Sequence, residues 1–284
     1  MPEHQYDLVV IGSGPAGQKG AIAAAKLGKR VVVVDRPGSI GGVSLHTGTI
    51  PSKSLREAIL YLSGYQQRVF YGRGYKVKSR ITMSDLMFRV EDIVRRELEV
   101  VRSQLLRNRI EVIEGEGRFR DPHLVEVRIG DQTTLLPTAH VLVACGSRPA
   151  HDRIVAVDNQ RILDSDQLLR ESTTDLPENA VVVGAGVVGL EYASMFSALD
   201  IKMTVIDARP TLLDFVDQEI LESLLFHMRR SDATFRLGEK VTRIERLEDD
   251  RIRTHLASGK QVTSAGILYT VGRQGNTDTL DLGK

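Results

Sequence analysis

The chain has 284 residues, room for roughly two domains, and its 38 Lys+Arg against 37 Asp+Glu give a net charge of +1 with no basic stripe, which argues against a nucleic-acid partner. A single cysteine, Cys145, excludes an intramolecular disulfide and suits a reducing, cytoplasmic setting. No secretory leader, bilayer-length apolar run or metal-ligand spacing is visible, so neither a membrane nor a metal is expected.

In chain order, Tyr6 to Ile11 reads as a buried parallel strand. Gly12-Ser13-Gly14-Pro15-Ala16-Gly17 follows, then an Ala-rich helix stopped by Gly28, then a strand from Lys29 that ends on Asp35. In such a unit Gly12 permits the tight turn, Gly14 lets a pyrophosphate reach the backbone, and Gly17 lets helix pack on strand. The helix N-terminus receives the phosphates, and Asp35 is placed to accept hydrogen bonds from ribose hydroxyls.

Pro51 to Tyr71 reads as a helix and a loop. Ser84 is expected to cap a long helix from Asp85 to about Asn108, with Leu86, Val90, Ile93, Val94, Leu98, Val101 and Leu105 as its packed face. Ile110 to Gly115 reads as a strand and Phe119 to Leu136 as a hairpin turning at Gly130-Asp131. His140 to Ser147 is expected to return as a buried strand, with Cys145 a buried structural thiol. Around 150–166 the chain crosses to a second domain.

That domain repeats the grammar. Ala180 to Val183 is a strand, Gly184-Ala185-Gly186-Val187-Val188-Gly189 a second fingerprint, Leu190 to Phe196 the start of a helix, and Lys202 to Asp207 a strand ending in an acid at the same spacing as Asp35. Asp207 favours a free ribose 2′-hydroxyl, whereas Arg209 offers a fork to a 2′-phosphate, so the choice between NAD and NADP stays open. A helix near Asp217 to Arg230 follows, with strands near 234–237, 241–247, 252–257 and 265–273. The last, with Gly272-Arg273, echoes Gly146-Ser147-Arg148. The pattern gives an α/β fold of two Rossmann-like dinucleotide-binding domains, the second inserted in the first: 1–150, then 151–273, then 274–284 starting back. Two such sites on one chain imply that two dinucleotides meet, as electron transfer between a nicotinamide and a flavin requires.

Gly41-Gly42-Val43-Ser44-Leu45-His46-Thr47-Gly48-Thr49-Ile50-Pro51-Ser52-Lys53 resembles the active-site segment of the flavin disulfide reductases, which reads GGxCxxxGCxPSK. Both cysteine positions are changed, to Ser44 and Thr49, and hydroxyls cannot hold a reversible disulfide, so disulfide reduction is excluded. Gly48-Thr49-Ile50-Pro51-Ser52-Lys53 is similar to the branch that has lost the redox disulfide, the soluble pyridine nucleotide transhydrogenases. Segments 144–149, 164–166, 184–194 and 272–278 carry the same likeness.

The resemblance implies FAD as cofactor and NAD(H) and NADP(H) as substrates, with hydride passing from NADPH to the flavin and on to NAD, or the reverse. It places Lys53 near the flavin, paired with Glu191. It assigns FAD contacts to Gly12, Gly14, Gly17, Asp35, Arg36, Gly41, Gly42, Val43, Ser44, Gly48, Thr49, Lys53, Gly117, Ala144, Gly146 and Ser147. NAD(P) contacts fall to Gly184, Gly186, Val187, Val188, Gly189, Glu191, Asp207, Arg209 and Gly272. The family continues past the position of Lys284 with a second FAD segment and an interface domain that makes a homodimer, so this chain is expected to be truncated, with that domain missing. Two other readings are an NAD(P)H oxidase or diaphorase and a non-catalytic nucleotide-binding fragment.

Overall fold

The computed structural model describes residues 5–72, 74–151, 157–158, 160–170 and 175–283, so part of the crossing expected around 150–166 lies outside the described residues. The elements in order are β1 (Tyr6–Ile11), α1 (Pro15–Lys26), β2 (Val31–Asp35), α2 (Gly42–His46), α3 (Thr49–Leu62), α4 (Arg68–Tyr71), α5 (Met83–Arg107), β3 (Glu111–Glu114), β4 (Glu116–Asp121), β5 (Leu124–Ile129) and β6 (Gln132–Val143). There follow β7 (Ser147–Pro149), β8 (Ile162–Asp164), α6 (Ser165–Arg170), β9 (Asn179–Val183), α7 (Val187–Ser197), β10 (Lys202–Asp207), α8 (Gln218–Arg230), β11 (Thr234–Leu237), β12 (Val241–Arg246), β13 (Ile252–Leu256), β14 (Gln261–Ser264), β15 (Gly266–Tyr269) and β16 (Arg273–Gly275). The chain divides into two compact units. The first is 1–51, 91–148 and 274–284; the second is 52–90 and 149–273, so residues 52–90 group with the second.

In the first unit the strands run in the order β3-β2-β1-β6-β5-β4. β1 is parallel to β2 and to β6, with Val9 facing Val32 and Val141. Alternation sends successive valines to opposite faces. Val9, Ile11, Val32 and Val34 pack with Val125, Val127 and Leu136, while Val10, Val31 and Val33 pack with Ala21, Leu105 and Ile110. Both faces are therefore covered, which is why β1 and β2 read as continuous apolar runs. The returning segment supplies Leu280, buried in the first of these clusters, whose carbonyl accepts the Phe119 N–H at 2.9 Å. Burying one leucine contributes about 2 kcal/mol.

Several expectations need correction here. The hairpin strand and the returning strand are one element, β6, twelve residues long; its first half pairs antiparallel with β5 and its second half parallel with β1. Its end is not buried: Val141 and Leu142 are half-buried and His140 and Val143 exposed, and Cys145 beyond it is only partly covered. The long helix is capped by Thr82, not Ser84: Thr82 Oγ1 accepts the Asp85 N–H at 3.3 Å and Asp85 Oδ2 accepts the Thr82 N–H at 2.9 Å. Leu86, Val90 and Leu105 are buried as expected, but Ile93, Val94, Leu98 and Val101 are only half-buried.

The ammonium of Lys78, followed by the Thr82 N–H and hydroxyl, pulls the Asp85 carboxyl down to about 2 from 3.8. A depressed carboxylate stabilises the fold above its unfolded value and loses that contribution as pH falls. Asp85→Asn is therefore expected to destabilise the chain at neutral pH, with the gap from wild type closing between about pH 4 and about pH 2 in acid-unfolding curves. A gap unchanged over that range would refute the capping role.

In the second unit a parallel sheet has the order β11-β10-β9-β15-β8, beside an antiparallel meander β12-β13-β14. Val181 and Ile206 of the sheet pack with Val241, Ile252 and Leu256 of the meander. β14 went unread in the sequence because Gln261, Thr263 and their neighbours are mostly polar. The second unit thus repeats the plan of the first: a parallel sheet followed by a three-stranded meander.

Candidate functional site

In the first unit the turn between β1 and α1 is built around a glycine that no other residue replaces. Gly12 has φ +104°, and a Cβ there would lie 2.2 Å from the Ala144 carbonyl oxygen. Its N–H bonds to Val34 O at 2.7 Å, and Ala144 N–H bonds to Ile11 O at 2.8 Å, so the turn is clamped between β2 and the end of β6. A Cβ on Gly17 would lie 1.9 Å from Gly12 O. Gly14, by contrast, faces open space: its nearest such contact is Gly42 Cα at 4.0 Å. Gly14 caps α1 with no side-chain bond and no acid in the first turn, so the helix offers bare N–H groups and its positive end.

The Gly41–Lys53 segment crosses this turn. A Cβ on Gly42 would come within 2.8 Å of Gly14 Cα, and one on Gly48 within 2.8 Å of Val43 O. Ser13 ties the parts together. Asp35 Oδ2 accepts its N–H at 2.7 Å and its hydroxyl, while Ser13 Oγ accepts Gly41 N–H at 2.9 Å. Asp35 Oδ1 takes the Arg36 N–H at 2.8 Å. Val43 and Ser44 lie in α2, Thr49 begins α3, and the buried Thr47 hydroxyl has no hydrogen-bond partner among the described residues. Gly117 packs on Val34 and Ile11 of the sheet. The loop bearing Ala144, Gly146 and Ser147 is joined by Asn276, which donates to Cys145 O and Gly146 O at 3.1 Å each. Asn276 lies in the 272–278 segment that carries the family likeness, but nothing local in the sequence gave it a role at this loop.

The second unit reproduces the main features of the turn. Gly184 has φ +100°, its Cβ would lie 2.5 Å from Thr270 O, and a Cβ on Gly189 would lie 2.0 Å from Gly184 O. Gly186 again faces open space and caps α7 without a side-chain bond or an acid in the first turn. Ala185 N–H reaches Asp207 Oδ2 at 2.6 Å, as Ser13 N–H reaches Asp35. Val187 and Val188 open α7, with Val187 exposed. A cleft of about 550 Å³ opens over the turn, lined by Gly186, Asp207, Arg209, Lys240, Val271 and Gly272 among others. Lys240 was not picked out from the sequence; parallel pairing of β10 with β11 carries the loop after β11 to the cleft.

Asp207 is buried and Arg209 exposed. Burial pushes the Asp207 carboxyl up, but the Arg209 guanidinium and the N–H groups of Arg209 and Ala185 outweigh it and hold the carboxyl below its ordinary value.

Lys53 and Glu191 are 138 residues apart in sequence, and the Lys53 ammonium pairs with Glu191 Oε1. Lys53 stands one turn into α3 and Glu191 on the first turns of α7. Ser52 Oγ also donates to Glu191 Oε1, at 3.3 Å. The Lys53 side chain is 59% exposed, so the pair contributes under about 1 kcal/mol to stability. Among the described residues no group of three His, Cys, Asp or Glu could hold a metal, and no helix is long and apolar enough to cross a membrane.

Residues 6–284 match the family described as Pyridine nucleotide-disulphide oxidoreductase. The chain is 51% identical over 280 residues to a soluble pyridine nucleotide transhydrogenase of Mycobacterium bovis (strain BCG / Pasteur 1173P2), covering 98% of this chain and 59% of that protein. It is 39% identical over 284 residues to the soluble pyridine nucleotide transhydrogenase of Photobacterium profundum, covering 100% of this chain and 60% of that one. LpdA from Mycobacterium tuberculosis superposes with a TM-score of 0.87 at 25% identity, over 97% of this chain and 61% of that structure. The HOCl-induced flavoprotein disulfide reductase RclA from Escherichia coli superposes with a TM-score of 0.82 at 24% identity, over 98% and 59%, a likeness of fold alone. The chain thus spans about three-fifths of the length of the relatives it matches.

Proposed function

The chain belongs to the pyridine nucleotide-disulphide oxidoreductase family, and on that premise we propose that it serves transhydrogenation, moving hydride between NADPH and NAD through FAD. In this reading 1–150, with 274–284 returning to it, is the FAD portion and 151–273 the NAD(P) portion. It acts on small-molecule nucleotides in the cytoplasm. The observation that carries the reading is the pair of matching glycine turns, each leaving a helix N-terminus without a side-chain cap and each backed by an acid from the next strand.

The first unit fits a flavin dinucleotide on its own geometry. Gly14 leaves its approach open, α1 presents unpartnered N–H groups, and the buried Thr47 hydroxyl lacks a partner. Gly12, Gly14 and Gly17 would receive the pyrophosphate, with Asp35 and Arg36 at the ribose end. Gly41 to Thr49, Gly117, Ala144, Gly146 and Ser147 would line the rest. Bound flavin would supply a two-electron carrier able to take hydride from one nicotinamide and give it to another. The chain's own part is binding, orientation and charge. As the resemblance implies, Lys53 would supply the cation near the flavin, and its pairing with Glu191 would orient it. Gly184, Gly186 and Gly189, with Val187, Val188 and Gly272, would seat a nicotinamide dinucleotide. Ser44 and Thr49 make the site a carrier between nucleotides rather than a reducer of disulfides.

The test is electron partition. With FAD and NADPH present, a thio-analogue of NAD is expected to take up reducing equivalents much faster than dissolved oxygen. Faster oxygen uptake would favour an oxidase instead.

A further inference from the structure

Four donors converge on the Asp207 carboxylate: Ala185 N–H at 2.6 Å, Arg209 N–H at 2.8 Å, Arg209 Nε at 3.0 Å and Arg209 Nη2 at 2.8 Å. A carboxylate has about four lone-pair sites, so Asp207 is saturated. A ribose diol can bond to it only by displacing a donor. The two backbone donors are fixed by the turn, whereas the Arg209 side chain is 53% exposed and is the donor free to leave. The fork on Asp207 uses Nε and Nη2, which leaves the Nη1 end of the guanidinium turned away from the carboxylate.

The rest of the cleft is poised for an anion. Lys240 lines it and has no ion-pair partner among the described residues. Glu239, the other carboxylate in the lining, is occupied by Lys260 at 3.0 Å and Ser258 at 2.9 Å. Asp214 adds a further negative field at Arg209. With Arg209 paired to Asp207 and Lys260 to Glu239, Lys240 is the lining cation left without a carboxylate of its own among the described residues.

Resting on the dinucleotide reading of this cleft, we propose that Arg209 is a two-position specificity residue that lets one cleft accept both coenzymes. For a bare ribose it releases Asp207, and the diol takes its place on the carboxylate. For a ribose 2′-phosphate it stays anchored on Asp207 and presents its outer edge to the phosphate, with Lys240 as the second cation. Asp207 thus serves one coenzyme as acceptor and the other as the anchor that aims the arginine.

Calorimetric titration of the FAD-saturated chain with adenosine 2′,5′-bisphosphate and with 5′-AMP isolates the ribose subsite. The wild type is expected to bind both probes. Arg209→Ala is expected to weaken the bisphosphate by about tenfold or more and to leave 5′-AMP unchanged or tighter. Arg209→Lys keeps the charge but not the double fork, and is expected to restore only part of the loss. Lys240→Ala is expected to weaken the bisphosphate alone. Equal weakening of both probes by Arg209→Ala, or no effect on the bisphosphate, would overturn the proposal. No binding of either probe to the wild type would overturn the dinucleotide reading itself.

Discussion

Gly14→Ala is expected to abolish flavin retention while the apo chain melts close to wild type; Gly12→Ala is expected to lose both flavin and fold. The two glycines sit two residues apart, yet a Cβ means different things at each. At Gly12 it would be driven to 2.2 Å from the Ala144 carbonyl oxygen, which is backbone held in the sheet, and φ +104° adds strain. Together these cost on the order of 3 kcal/mol or more, a large share of a domain's stability. At Gly14 the nearest neighbour of a Cβ is 4.0 Å away and φ is −63°, so alanine costs about 1 kcal/mol as a helix cap. That same methyl would stand where the pyrophosphate must meet the α1 N-terminus. Thermal melting with and without FAD separates the two effects. Retention of FAD by Gly14→Ala at wild-type affinity would remove the first turn as the flavin cradle.

Lys53→Met is expected to slow NADPH-dependent bleaching of the flavin spectrum by roughly a hundredfold, with FAD content and melting temperature nearly unchanged. The size follows from removing one preorganised charge at a reacting centre, which elsewhere costs about 10²- to 10³-fold in rate. The small effect on stability follows from the exposure of the Lys53 side chain, since such ion pairs are worth about 1 kcal/mol at most. Glu191→Gln should slow the reaction less, because the cation remains and only its direction is loosened. Stopped-flow absorbance reads both variants. Wild-type bleaching rates in Lys53→Met would show that the pair is an ordinary surface contact.

The parts of the molecule legible in the sequence are those where one residue type answers one physical demand. Gly12 and Gly184 are required by carbonyls that leave no room for a side chain. The valines of β1 and β2 are required by a sheet covered on both faces. Misreadings came where two residue types answer equally well. Thr82 and Ser84 are both cap-forming residue types at the start of the long helix, and only the reciprocal bonds between Thr82 and Asp85 decide between them. β6 looked like two strands because its partner changes midway, from antiparallel β5 of the meander to parallel β1.

Within the candidate site, Asp35 and Asp207 were read as ribose acceptors from spacing alone. Each is also committed to its own turn, through Ser13 and Ala185 respectively, a use that spacing does not reveal. The roles of Lys240 and Asn276 were invisible because only strand pairing and the chain's return bring them to the two cradles.

On the proposed reading, the chain binds flavin and passes electrons between two nicotinamide nucleotides. The most direct measurement is the absorbance spectrum of the FAD-loaded chain under anaerobic conditions, first with NADPH and then with excess NAD. Bleaching by NADPH followed by recovery with NAD is the expected result. Failure to take up FAD, or bleaching that NAD does not reverse, would contradict it.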